Sequence, residues 1–436
     1  MVERRIRMDI TWSVVVGTRN TPHLIKGFIE RWKKVVPNGE HHLVIVDSGN
    51  DSETEMLLND EKLNNSNIWY YVIDDDSTLS DTYNFGAKKC KTEFISFLHN
   101  DIWLPDGYFE RLSNSFEVDK ICITRRIEPI FFANSISNET VKYIDCGTSW
   151  DTINEDRIYK SMNTILDKYG YRYFNFFISF HRSLYTEVGG MDNLFDPMFC
   201  EDDDIHKRWC MLGKEFKLMG NVQFYHMPSQ TSRYSKEYEF KTKAIEDNSN
   251  KNFFRKWGTK TQNIKLPKIT NALIAAFDST CNNDEKFNHI MTMNEMFFSF
   301  VYFIVNDDHS MELVKEKIYE WLIEEQKYTQ IDLSNKVKAI KKEDLSKVLK
   351  DDKILYSIVY KKSINISRML DLNDLVVNNQ HVGKYMIDSD NVLIIHQEIN
   401  IDNFDSQVKI DRTNRIDINL WKRLKKERVW KRVFSN

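Results

Sequence analysis

No CxxC pair occurs among the six cysteines, which are scattered at Cys90, Cys122, Cys146, Cys200, Cys210 and Cys281. That spacing excludes a zinc ribbon and a dithiol redox motif. It fits reduced thiols in a cytosol, several of them serving as small core residues inside apolar runs. No apolar run is long enough to cross a bilayer. The longest, Met296 to Val305, has about half the required length and reads as buried core. No secretory leader pattern precedes the first strand, because Met1 to Arg7 is charged, so a cytoplasmic protein is expected. Neither sign of charge dominates. A formal net charge of -4 gives no global reason to expect nucleic acid or an anionic membrane as partner. There is no GxGxxG and no GxxxxGK[ST], and Gly17-Thr18-Arg19-Asn20 is no substitute for either, which excludes the two commonest phosphate cradles. The missing GxSxG elbow speaks against an α/β hydrolase. Proline is absent after Pro267, and Gly383 is the one glycine after Gly258. The architecture therefore changes near residues 258–268, and domains of 1–260 and 261–436 are expected.

What is present suits two cores. The chain has 436 residues, 41% of them hydrophobic and 13% aromatic, too many for a single ordinary core and enough to fill two. The first part alternates apolar β-branched runs with helical spacing. Strands are expected at Thr11–Val16, His42–Val46, Ile68–Ile73 and Glu93–Leu98. Helices are expected at 22–35 and 79–90. Near-continuous apolar strands separated by helices imply a mainly parallel sheet with helices on both faces. Ligands of such sheets sit beyond the carboxyl ends of the strands, where Asp47, Asp101 and the turn after the first strand all fall. The second part reads as mixed α/β. It offers an amphipathic helix at 311–325 with Leu313, Ile318 and Leu322 on its apolar side, strands near Ile354–Tyr360 and Val392–Ile395, and no sequence repeat.

Two acidic stations stand out. In Leu98-His99-Asn100-Asp101 a carboxylate follows a buried strand, where it can hold a hard cation or cap the next turn. Far downstream, Glu201-Asp202-Asp203-Asp204 follow Gly189-Gly190-Met191-Asp192 and open a helix with Ile205, Trp209 and Leu212 as its apolar positions. Carboxylates at a helix start can bind a metal, act as a base, or simply complement the helix dipole. His226, after the strand-like Val222–Tyr225, offers a third ligand or a hydrogen-bonded structural imidazole.

The order of these stations resembles the family 2 glycosyltransferases of the GT-A fold, over about residues 10–230. The resemblance implies that the segment around Thr18, Arg19 and Asn20 opens the nucleotide pocket. It implies that Asp47 contacts base or ribose, and that Tyr83-Asn84-Phe85-Gly86 is the helix preceding the metal strand. The family's DxD motif falls on His99-Asn100-Asp101, with His99 in place of the first Asp, so Asp101 is the implied metal ligand and Asn100 a donor contact. Gly190 and Asp192 match the acceptor loop. Asp202 matches the catalytic base, with Glu201 beside it, and His226 matches the histidine that completes the metal site. Asp203 is expected to face solvent. The implied reaction is an inverting transfer from a nucleotide diphosphate sugar, UDP-linked by preference, to an acceptor hydroxyl, with manganese or magnesium.

Two other readings remain open. One is a GT-A module that binds without catalysing, motivated by the altered DxD. The other is a transferase acting on DNA bases, motivated by the basic tail Trp421 to Arg432. That tail suits phosphate tracking or an anionic membrane face, and equally a solvated terminal helix. The acceptor, whether carbohydrate, glycoconjugate or DNA, is expected to meet the stretch 126–180. Of its aromatics Trp150, Tyr171, Tyr173, Phe174 and Phe176, most are expected to pack in the core.

Overall fold

The computed structural model describes residues 10–130, 137–170, 175–227, 237–257, 261, 271–277, 284–288, 290–291, 298–325, 327, 329, 332–354, 356–360, 382–386 and 391–396. The basic tail and the aromatics Tyr171, Tyr173 and Phe174 lie outside the described residues. Two compact units divide the chain, one running to Glu246 and the other beginning at Asp247.

The first unit begins with β1 (Trp12–Thr18), α1 (Pro22–Val35), β2 (His42–Asp47), α2 (Ser52–Asn64), β3 (Ile68–Val72), α3 (Leu79–Lys89) and β4 (Phe94–His99). It continues through β5 (Ile102–Trp103), α4 (Tyr108–Ser115), β6 (Ile121–Glu128), β7 (Val141–Tyr143), α5 (Glu155–Ser161), β8 (Lys168–Tyr169) and β9 (Ile178–His181). It closes with α6 (Arg182–Val188), α7 (Glu201–Met211) and β10 (Phe216–His226). The division between units falls within α8 (Thr242–Trp257).

The sheet order is β3-β2-β1-β4-β9-β6-β10-β5, with β7 on β6 and β8 on β10. Strands β1 to β4 are mutually parallel. β9 runs against both β4 and β6, so β6 and its parallel neighbour β10 point the same way as β4. The ends of β1, β2, β4, β6 and β10 therefore share one edge. The apolar runs explain the centre: Val14, Val15, Val16, Leu43, Val44, Ile45 and Val46 are fully buried, as strands covered on both faces require. Helix α3 is fixed at its start by a capping box between Thr78 and Asp81. It lies so close to β1 that a Cβ on Gly86 would come within 2.3 Å of Val15.

The second unit comprises β11 (Asn271–Ala276), α9 (Asp284–Asn288), β12 (Phe300–Val305), α10 (Asp308–Glu325), β13 (Val337–Lys341), α11 (Leu345–Asp351), β14 (Tyr356–Tyr360), β15 (Gly383–Met386) and β16 (Val392–Ile395). Its sheet order is β13-β12-β11-β14-β16-β15. Strands β11 to β14 are parallel, β16 is antiparallel to β14, and β15 is antiparallel to β16. This repeats the order and directions of β3-β2-β1-β4-β9-β6 in the first unit, a repetition with no counterpart in sequence. Along α10, Val314, Ile318 and Trp321 are buried, and the expected Leu313 and Leu322 are partly buried against the same core. In α7, likewise, Ile205 and Trp209 are buried, whereas Leu212 is only partly buried beyond the last turn.

No helix among the described residues is long and apolar enough to cross a membrane. The five described cysteines are buried and form no disulfide among the described residues.

Two buried histidines set an acid limit on stability. His41 accepts a hydrogen bond from the Trp12 amide on Nδ1, and His206 bonds the Asp202 carbonyl. Burial depresses both to about 4. Each is neutral in the fold but protonates near its ordinary value when unfolded. The stability they contribute is present above about pH 6.5 and is lost as pH falls toward 4, by up to about 3 kcal/mol per ring. Denaturation midpoints measured across that window should fall, and a His41→Gln variant should flatten part of the slope.

Candidate active site

A cleft of about 890 Å3, counting its open mouth, lies at the shared strand edge. One wall is the turn after β1, with Gly17, Thr18 and Arg19. The opposite wall carries His99, Asn100, Asp101 and His226. Pro197, Met198 and Tyr238 complete the rim.

The first wall is held by a polar triangle. Asn100 donates to the hydroxyls of Thr18 at 3.1 Å and Thr21 at 3.0 Å, tying the β1 turn to the end of β4. Arg19 donates to the Ser48 carbonyl at 2.5 Å and pairs with Glu237, which also accepts from Asn20. Tyr83 braces the floor by donating to the Leu98 carbonyl at 2.7 Å. Asp47 ends β2 just outside the lining, where its carboxylate accepts from the Gly49 amide and the Tyr70 hydroxyl. Burial raises its pKa, against the pull of those two donors.

The second wall is made by strand register. In the antiparallel pairing of β10 with β5, His226 stands opposite Ile102, directly beside Asp101. In the parallel pairing of β6 with β10, Tyr225 stands opposite Ile127, which brings the strand-end Glu128 to His226. The Nδ1 of His226 lies 2.8 Å from Glu128, and its Nε2 lies 3.4 Å from Asp101. Arg126 in turn donates to Glu128 at 3.1 Å. Burial opposes a charge on His226, but Asp101 and Glu128 outweigh it and lift the ring to about 9. Burial likewise raises Glu128, and His226 and Arg126 more than reverse the effect. Two buried carboxylates thus demand positive charge at this point. His99 completes the group, with Nδ1 4.0 Å from Asp101 and its ring packed on Phe176 and Phe177. The ligating atoms of His99, Asp101 and His226 all lie within 4.8 Å of one another. Asp101 Oδ1, His226 Nε2 and His99 Nε2 are buried with no hydrogen-bond partner. Of these, Asp101 Oδ1 and His226 Nε2 face each other as an ion pair at 3.4 Å without hydrogen-bond geometry, and a cation held between them and His99 would satisfy both. Glu128 did not stand out in sequence as a member of this group, and His99 stood out only as the replacement for the first Asp of the motif, not as a ligand. The signal was there for Glu128, an acid at the end of an apolar strand, the same signal that singles out Asp101.

The acidic helix start divides its labour. Asp204 is buried against Arg208 at 2.7 Å, and Arg208 also donates to the carbonyls of Val188 and Gly190, so this pair holds the glycine loop. Glu201 is buried, and its Oε2 has no hydrogen-bond partner. Burial, then Asp202, pushes it up to about 8. Asp202 is half-buried. Its carboxylate accepts from the Asp203 amide at 2.8 Å, and burial raises its pKa against that bond and the pull of Arg126. Asp203 is half-buried rather than solvent-facing, and α7 begins directly behind the left-handed Phe199 and Cys200. Neither Glu201 nor Asp202 lines the cleft.

Asn84 and the glycine loop form one unit. Asn84 accepts from the Tyr185 hydroxyl at 2.7 Å and the Met191 amide at 2.9 Å, and donates to the Met191 carbonyl at 2.9 Å. Its polar groups are spent on the loop. Asp192 accepts from the Leu194 amide, and its carbonyl takes the Ser80 hydroxyl. Gly190 has φ +75, and a Cβ there would sit 2.2 Å from Asn84 Oδ1. Gly190→Ala should therefore destabilise the fold by about 2–4 kcal/mol, from left-handed strain plus overpacking, as read by urea denaturation. Of the expected acceptor-side aromatics, Phe176 packs on Tyr83 and His99, and Trp150 packs with the cluster around Ile158 and Tyr225.

Comparison with known proteins adds a family. Residues 13–184 match the model described as Glycosyl transferase family 2. No curated protein matches the sequence. Among solved structures, S. aureus TarS is 12% identical over 51% of this chain and 37% of its own, with a TM-score of 0.37. TarS residues 1–349 in complex with UDP-GlcNAc are 12% identical over 65% of this chain and 73% of that one, with a TM-score of 0.38. GalNAc-T7 with UDP, GalNAc and Mn2+ is 14% identical over 56% and 50%, with a TM-score of 0.36. The chain thus spans little more than a third of the full TarS length. Likeness of this degree bears on neither donor nor acceptor.

Proposed function

Residues 13–184 form a glycosyl transferase family 2 domain, and from that premise we propose that the chain moves a sugar from a nucleotide diphosphate sugar to an acceptor hydroxyl with inversion, using a divalent metal. UDP is the favoured nucleotide, and manganese or magnesium the favoured ion. The observation that carries this reading is the meeting of the β1 turn with Asp101 and His226 across one cleft.

Thr18, Arg19, Asn20 and Asp47 face the nucleotide, with Asn100 keeping the turn in place. Asp101, His226 and His99 would hold the metal, which when bound neutralises the charge that grows on the departing diphosphate. Asp202 takes the proton of the acceptor hydroxyl as that oxygen attacks the anomeric carbon. The bond from that carbon to the diphosphate oxygen breaks, and the diphosphate leaves with the bonding pair. A single displacement inverts the centre, so one base suffices. Glu201 supports the base, and the Asn84–Gly190–Asp192 loop shapes the acceptor side. A carbohydrate or glycoconjugate is the favoured acceptor.

The test is a thermal-stabilisation screen of nucleotide sugars with manganese. Ligand at about 100 times its Kd stabilises by about 2.7 kcal/mol, which is readily seen as a raised midpoint. The expected result is stabilisation by one UDP-sugar, greater with the metal than without. A screen in which no nucleotide sugar moves the midpoint, with or without manganese, overturns the proposal. Slow donor hydrolysis without acceptor separates a working transferase from a module that only binds.

A further inference from the structure

Resting on the nucleotide-donor reading above, we infer that Glu237 and Tyr238 form a further side of the donor site. Tyr238 contacts the nucleoside, and Glu237 is the positioning residue that seats it against the turn after β1. Both residues follow β10 and belong to the first unit.

The first argument is how the polar atoms of that turn are committed. The Glu237 carboxylate accepts from Arg19 Nε at 2.8 Å and from Asn20 Nδ2 at 3.2 Å, and Arg19 Nη2 pairs with it at 2.7 Å. The other ends of both side chains are held inside the protein too. Arg19 Nη1 donates to the Ser48 carbonyl at 2.5 Å, and Asn20 Oδ1 accepts from the Asn50 amide at 3.0 Å. One carboxylate thus clamps two successive residues of the turn, and with it the chain at position 238. Burial raises the Glu237 carboxyl, but the bonds from Arg19, Asn20 and Tyr238 more than reverse this, so the clamp is charged.

The second argument is position. Tyr238 is buried, and it lines the cleft together with Thr18, Arg19 and Ser48. Burial raises its hydroxyl, and Arg19 and Glu237 act on that hydroxyl in opposite directions, as a ring beside the clamp requires.

The third argument is charge. Among the described residues that line the cleft, Arg19 is the one arginine or lysine, and Glu237 neutralises it. Phosphate binding needs donors that are unspent and a positive charge that is uncancelled. This end of the cleft offers neither, so it suits the uncharged part of a nucleotide. An aromatic ring there can stack on any base, since every base has a π-face.

The experiment uses the intact chain with manganese chloride and measures two ligands by calorimetry. One is UDP; the other is inorganic pyrophosphate, which carries the diphosphate without the nucleoside. Tyr238→Ala is expected to weaken UDP by about 10-fold, the order of one base–aromatic stack, and to leave pyrophosphate within about twofold. Tyr238→Phe should keep most of the UDP affinity. Glu237→Gln should weaken UDP by about threefold, the order of a partly exposed ion pair, again sparing pyrophosphate. If pyrophosphate does not bind the unaltered chain, the ligand-free thermal midpoint replaces it. UDP affinity lost at an unchanged midpoint then supports the inference, and a midpoint that falls with it overturns it. Unchanged UDP affinity in Tyr238→Ala also overturns it. So does equal weakening of UDP and pyrophosphate, which marks a merely structural role. Tighter UDP binding in Glu237→Gln overturns it too, because Glu237 would then compete with the nucleotide. All of these results leave the donor reading standing. If UDP does not bind the unaltered chain the inference falls, and the screen of nucleotide sugars decides the donor reading separately.

Discussion

Asp202→Asn is expected to lower the transfer rate by about 10²–10⁴-fold, the contribution of a positioned general base, while donor affinity stays within about twofold. The amide is nearly isosteric, and its oxygen can take over the bond from the Asp203 amide, so α7 has no reason to move. What it cannot do is accept the acceptor's proton. The pH profile sharpens the test. Burial raises the pKa of Asp202, and only the ionised form is a base, so the rate should climb with pH along a limb displaced upward from that of an ordinary aspartate. That limb should vanish in the variant. Glu201→Gln is the control, because Glu201 is also buried and raised, to about 8. Unchanged turnover in Asp202→Asn removes the mechanism, and loss in Glu201→Gln alone moves the base by one residue.

Asp101→Ala should abolish metal-dependent donor binding. Calorimetry with UDP and manganese is the direct measurement. Changes to groups behind a metal ligand typically cost about 10–100-fold in affinity, so loss of the carboxylate itself should cost at least the upper end of that range. Glu128→Gln should fall between the unaltered chain and Asp101→Ala, since it leaves the ligands present but frees the His226 ring to turn. Retained manganese-dependent UDP binding in Asp101→Ala would place the cation elsewhere.

These two residues were visible in sequence for a simple reason. Asp101 follows an apolar strand, and Asp202 follows a glycine pair at a helix start. Both are local patterns, and local patterns survive without a structure. The roles of their neighbours were not legible in this way. Asn84 sits in a sequence that suggests a donor contact, but its amide is committed to the Met191 backbone 107 residues away. Asp204 looks like Asp202 in sequence, yet its carboxylate is buried against Arg208 one turn later. The topological repetition in the second unit was equally hidden, because strand order leaves no mark on residue spacing.

From the chain alone came the alternation of strand and helix, the parallel sheet and its carboxyl edge, for these rest on hydrophobic periodicity within a dozen residues. The meeting of the charged strand ends came from the fold. Asp101, Glu128 and His226 meet because β10 lies between β6 and β5 in one particular register. Slipping a strand by a single residue would turn those side chains to the opposite face of the sheet.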